Sequence, residues 1–177
     1  MKKLLKFVNG ILRPVTKKPS YKHILVFFVF LLIPNILRQI VYWRAKLSSG
    51  SIAFIDSPET RLIFKANFPY LGILEEMIIA MVFTFLWFNY LNLRFFAYGW
   101  LADAFFDFVF VLLWLIYGST PLQMIGFSSF ARFLIREGAM PYLIFGPLLA
   151  FLKPDIRKLV IACTFFGAFM IGFILVI

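Results

Sequence analysis

The sequence predicts an all-α, polytopic membrane bundle of five or six spanning helices, entered through a basic segment that lies at the membrane interface. Two observations carry this expectation. Of the 177 residues, 63% are hydrophobic and only 15% are charged, whereas a soluble domain carries about 25% charged residues to coat its surface. The mean hydropathy is +0.93, and the apolar residues are gathered into runs near the ~20 residues needed to cross the hydrocarbon. No long polar stretch divides the chain, so residues 24–177 are expected to form one transmembrane domain behind a leader, 1–23.

In the leader, Leu4, Val8, Ile11 and Val15 recur at helical spacing among Lys2, Lys3, Lys6, Lys17 and Lys18. This spacing predicts either an amphipathic helix in the headgroup plane, broken by Gly10 and Pro14, or a disordered basic tail. Ile24–Trp43 is the first spanning candidate. Its second half turns polar at Pro34, Asn35, Arg38 and Gln39, which predicts a kink and an amphipathic exit from the membrane. Within the connection 44–69, Ser57-Pro58-Glu59 reads as a helix start, with a capping hydroxyl, a proline in the first turn and an acid behind it.

Tyr70–Phe88 is the second span, Asn89–Arg94 a tight turn and Phe95–Tyr117 the third span, with aromatics at both ends as in an interfacial belt. Thr120-Pro121 starts a further helix to about Ile135, followed by the short run Met140–Leu152. At about 1.5 Å per residue such a run falls short of the ~30 Å hydrocarbon. Residues 121–152 are therefore either two spans with polar ends or a re-entrant hairpin, packed on protein through Gly126, Ser128, Ser129, Gly146 and Pro147. Leu159–Ile177 is the last span. It carries the small pairs Cys163/Gly167 and Ala168/Gly172 at the spacing that lets helices approach closely.

The charge balance is +10, from 18 Lys and Arg against 8 Asp and Glu. The basic residues flank apolar runs, as headgroup anchors do, and no platform of aromatic and basic residues lies outside those runs, so nucleic acid is not an expected partner. The leader is expected on the cytoplasmic side. With six spans, Arg94, Arg132 and Arg136 face the same side as the leader, and Lys153, Arg157 and Lys158 the opposite one, as do Arg44, Lys46, Arg61 and Lys65.

Charged groups inside a bilayer are expensive and tend to be functional. Glu75 and Glu76 in the second span and Asp103 and Asp107 in the third are four such acids among the eight in the chain. Asp103 and Asp107 share a helical face. Counted from the 89–94 turn, Glu75 and Asp107 lie at similar depth, so facing carboxylates are available to hold an ion or a proton. Arg132 and Arg136, also four apart, offer a ladder of charge pairs to the two aspartates. Glu75, Glu76, Asp103, Asp107, Arg132 and Arg136 are accordingly the candidate binding residues.

Catalysis finds less support. The paired glutamates of intramembrane prenyl-protein endopeptidases work with intramembrane histidines, whereas the one histidine here, His23, stands at the edge of the first span. The Gly- and Asn-containing motifs of membrane aspartyl peptidases are missing, as are phosphate loops and metal-ligand clusters. The single cysteine, Cys163, leaves no disulfide within the chain. The 25 Phe, 7 Tyr and 4 Trp suit lipid-facing and core positions, so no cofactor and no metal are expected. The expected function is that of a transport-related component with a polar mid-membrane site for a small solute, ion or proton, embedded in lipid beside other integral subunits or further copies of itself. The alternative is a non-catalytic subunit of a membrane complex.

Overall fold

The computed structural model describes residues 2–49, 69–118 and 124–177. Every regular element among these residues is a helix: α1 (Lys2–Ile11), α2 (Tyr21–Ser49), α3 (Pro69–Asn89), a 3₁₀ turn (Leu91–Leu93) and α4 (Phe95–Tyr117). A fifth helix, α5, has three contiguous parts, Ser129–Phe133, Leu134–Phe145 and Gly146–Leu152, and α6 (Ile156–Val176) follows. Five helices among the described residues are long and apolar enough to cross a membrane. The helix start at Ser57-Pro58-Glu59 and the one at Thr120-Pro121 lie outside the described residues.

Local chemistry sets the boundaries. Gly118 ends α4 in the left-handed conformation, φ 70°, with its N–H on the Trp114 carbonyl at 2.7 Å. The Ser128 hydroxyl caps α5 by accepting from the Ala131 N–H at 3.2 Å, and the Asp155 carboxylate caps α6 by accepting from the Arg157 N–H at 3.0 Å. Such caps satisfy backbone groups that a helix end leaves orphaned.

Two sequence expectations are corrected here. Residues 129–152 form neither two spans nor a hairpin but one continuous helix, and Phe130–Leu152 alone has the length of a span. The middle part, Leu134–Phe145, is a π-helix, whose wider i→i+5 turn relieves the clash of the Pro141 ring with the preceding turn. The Gly146 N–H accordingly bonds the Pro141 carbonyl, five residues back. Nor is the segment enclosed by protein. Leu143, Ile144, Leu148 and Phe151 are exposed, while Gly146 packs so closely on α4 that an added Cβ would lie 2.7 Å from the Phe95 carbonyl oxygen.

The second correction concerns α2, which does not exit at Pro34. The helix runs on to Ser49, and Leu31, Pro34, Asn35, Arg38, Gln39 and Tyr42 form one buried stripe. The Asn35 side-chain amide donates to the Leu31 carbonyl at 3.1 Å, one turn back beside the proline. A helix-facing stripe of this kind follows the 3.6-residue period, but its centre is polar.

Successive helices run antiparallel. At one end Phe27 stacks on Trp87 (5.0 Å), and the Tyr98 hydroxyl donates to the Pro154 carbonyl at 3.2 Å, bringing together the start of α2, the α3–α4 turn and the α5–α6 turn. The leader docks there too. The Val15 N–H donates to the Asn89 carbonyl (3.0 Å), the Leu91 N–H to the Arg13 carbonyl (3.2 Å), and the Asn92 side chain to the Gly10 carbonyl. Helix α1 leaves Leu4, Leu5 and Phe7 exposed beside its lysines, the character of a helix lying at a lipid surface. Of the small pairs on α6, Cys163 and Gly167 are buried, whereas Ala168 and Gly172 are exposed.

Helices α2 and α4 are the most buried and form the middle of the bundle. Two apolar clusters hold it. One, at the leader end, contains Leu31, Ala80, Ala97, Trp100, Leu101 and Val160; the other, towards the opposite end, contains Val41, Tyr42, Ala45, Phe108, Val111, Met170 and Ile174. An odd number of antiparallel spans sends the two ends of the chain to opposite faces, where six would return them to one. On a Cys163→Ala background, a cysteine at Lys3 and one at Ile177 are expected to react with an impermeant thiol reagent from opposite sides of sealed vesicles. Labelling of both from one side would restore an even number.

Candidate functional site

Between the two apolar clusters lies a polar layer. On α2, Arg38 falls between Leu31 and Val41; on α4, Asp103 and Asp107 fall between Leu101 and Phe108, so the helical register brings them to the same level. Arg38 is 7% exposed, Glu76 on α3 1%, Asp103 4% and Asp107 2%. The Arg38 guanidinium pairs with all three carboxylates. One terminal nitrogen donates to Glu76 and the other to Asp103, with Asp107 at 3.2 Å. Glu76 Oε1 also accepts from the Gln39 amide at 2.8 Å. One side chain of α2 thereby ties α3 and α4 together.

Helix α5 adds a second guanidinium. Arg136 Nε lies 3.6 Å from Asp107 Oδ1, and Arg136 pairs with Glu137 beside it. Successive residues are both aimed at α4 because the π turn spreads its side chains over more residues per turn than an α turn does. A cavity of about 120 Å³ opens here. It is lined by Arg38, Gln39, Glu75, Glu76, Ile79, Trp100, Asp103, Asp107, Phe133, Glu137 and Tyr142. Its walls carry carboxylate oxygens that make no hydrogen bond, Glu76 Oε2 and Asp103 Oδ1.

The candidate residues separate clearly. Glu76, Asp103, Asp107 and Arg136 meet in one layer, and Glu75 lines the rim of its cavity while remaining half-buried. The depth match pairs Glu76 rather than Glu75 with the aspartates, because neighbouring residues on an α-helix point about 100° apart and only one faces α4. Arg132 does not line the cavity; its guanidinium donates to the Phe127 carbonyl. The expected ladder of Asp103 and Asp107 with Arg132 and Arg136 is thus half formed, and the first partner of both aspartates is Arg38.

Arg38, Gln39, Glu137 and Tyr142 escaped the sequence reading. A signal for Arg38 existed: it stands seven residues after Leu31 and three before Val41, on the apolar stripe of α2, and the four acids buried in other helices require a cation. Asp103, Asp107 and Glu137 also place ligand oxygens within 4.8 Å of one another. That is close enough to hold a cation, but Arg136 already pairs with two of the three. No protein-family model matches the chain, no curated protein sequence matches it, and no solved structure matches its fold.

Removing one partner of a buried ion pair strands the others in a low dielectric, at a cost of about 3–5 kcal/mol. Arg38→Gln strands three carboxylates and is expected to lose at least that much in denaturant unfolding from detergent micelles. Asp155→Asn, at the exposed cap of α6, keeps a capping side chain and is expected to stay near wild type. Equal losses in the two variants would contradict the assignment of Arg38 to the centre of the layer.

Proposed function

We propose that this protein is a transport-related membrane component whose central charge layer holds a proton or a small cation on its way across. The observation that carries the reading is a charge imbalance. Four carboxylates, Glu76, Asp103, Asp107 and Glu137, surround two guanidiniums, Arg38 and Arg136, beside a cavity that Glu75 lines as well. Uncompensated charge is not tolerated in an apolar interior. Protons or a bound cation restore the balance, and the unbonded oxygens of Glu76 and Asp103 are where they would sit. About 120 Å³ accommodates a small ion with a few waters, each needing roughly 30 Å³.

The basic residues support an orientation. Lys2, Lys3, Lys6, Arg13, Lys17, Lys18 and Lys22 stand at the same end of the bundle as Arg94, Lys153, Arg157 and Lys158, and the positive-inside rule favours the cytoplasmic side for that end. Five spans satisfy the rule better than six, which would divide these residues between the two faces. These 177 residues carry no nucleotide-binding motif, and an ion gradient or a partner subunit is the proposed drive for the movement.

The competing reading is a structural subunit whose charges only hold its own helices together, and the three carboxylates gathered on Arg38 are its support. Flux distinguishes the two. The protein, with whatever subunits co-purify, is reconstituted in liposomes and challenged with proton, sodium, potassium and magnesium gradients. Wild type is expected to dissipate at least one of them. Glu75→Gln, on the half-buried rim, is expected to slow that flux about tenfold or more while thermal unfolding stays within a few degrees. Flux no greater than that of empty liposomes under all four gradients would leave the structural reading standing.

A further inference from the structure

A second cavity, of about 680 Å³, lies at the basic end of the bundle, away from the charge layer. It is framed by the end of α3, the 3₁₀ turn, the start of α4 and the junction of α5 with α6. Trp87, Phe95 and Phe151 supply apolar wall, Asn92 and Tyr98 polar atoms, and Arg94 and Lys153 positive charge, and no acid lines it. Arg94 is held in place. Its guanidinium lies over the Trp87 ring at 4.9 Å, and its Nε donates to the Trp87 carbonyl at 3.2 Å, so the planar group is anchored by one edge. Lys153 is held by its backbone. It is the one non-glycine residue with positive φ (48°) among the described residues, and its N–H closes α5 on the Leu149 carbonyl at 2.9 Å. A lysine is a costly choice at a position where glycine is unstrained.

We infer that this cavity binds the phosphate of an anionic phospholipid, with Arg94 and Lys153 as its cationic partners and the acyl chains lying along the apolar wall. Charge complementarity names the occupant: two cations, the Arg94 guanidinium held in place and Lys153 beside it, with no acid in the lining, select an anion, and a guanidinium fork suits phosphate oxygens. Depth selects a lipid over a soluble anion. The cations stand at the helix ends, where headgroups lie, while Phe151, on α5 just before Lys153, is 82% exposed and offers an apolar surface running inward from them. Basic pockets between helices at the end of a bundle are fitted to anionic headgroups. The leader borders the same place, since the Asn92 side chain donates to the Gly10 carbonyl; a bound headgroup would therefore sit where the amphipathic α1 meets the bundle.

Native mass spectrometry of the intact protein tests this with phosphatidylglycerol, phosphatidylcholine and inorganic phosphate as probes. Wild type is expected to prefer phosphatidylglycerol over phosphatidylcholine at least tenfold. Lys153→Gly removes the cation and relieves the backbone, so the preference should fall about fivefold while thermal stability is kept or raised. Adding Arg94→Gln should abolish the preference, whereas Lys17→Gln with Lys18→Gln, an equal charge change on the leader, should leave it intact. The inference is overturned if Lys153→Gly keeps the wild-type preference, if the leader variant loses it as fully, or if phosphatidylcholine binds as well. It is equally overturned if inorganic phosphate displaces the lipid at equal concentration, because the ligand is then a free anion.

Discussion

The structure depends on the neutralisation of Arg38. A guanidinium in the middle of a bundle this apolar cannot be left to itself, since an isolated ion loses far more in hydration than packing returns. Glu76 from α3 and Asp103 and Asp107 from α4 converge on it. Each of these helices is hydrophobic on nearly every side, and between apolar helices in lipid there is little hydrophobic drive to choose one packing over another. The charge layer makes the choice. A slip of α2 along α4 by one turn would move Arg38 by about 5.4 Å, away from its partners and into one of the two apolar clusters.

The layered arrangement also explains why the bundle accommodates so much charge. Above and below the layer the core closes with Trp100, Leu101 and Leu31 on one side and Phe108, Val41 and Met170 on the other. The layer is thus flanked by apolar side chains in both directions along the axis, and residues of α3 and α5 line its cavity. Helix α5 contributes through an irregularity. Its π segment widens around Pro141, brings Arg136 and Glu137 side by side to the layer and leaves Gly146 against the backbone of α4. Long π segments are rare, and shorter ones concentrate at functional sites. Here the distortion is what delivers a fourth carboxylate to a site whose charges would otherwise nearly balance.

Much of this was legible in the sequence, because composition and apolar run length respond directly to a lipid solvent. The third span, Phe95–Tyr117, coincides with its helix, the second and last differ from theirs by no more than a few residues, and the acids at 76, 103 and 107 point inward. The failures share a cause. Proline was read as an interruption at Pro34, whereas in a helix buried among neighbours the freed backbone groups find other partners. Reading Pro34 as an exit made Arg38 an interfacial residue, and the centre of the site was missed. Splitting 121–152 at its glycines and proline made two segments where one helix with a π turn suffices. The conversion of a one-turn α pattern to a π pattern leaves no mark in hydropathy, so neither Glu137 nor Tyr142 announced itself.

The central claim is that Arg38 and the carboxylates of α3 and α4 act as one unit. The most direct measurement is a double-mutant cycle on Arg38 and Glu76, using Arg38→Met, Glu76→Gln and the pair, with unfolding free energies taken in the same detergent. Groups in one ion-pair network couple by about 0.5–3 kcal/mol. The account predicts a coupling in the upper half of that range, with the double variant more stable than Arg38→Met alone because one stranded carboxylate has been removed. Losses that simply add, with no coupling beyond about 0.3–0.5 kcal/mol, would contradict it.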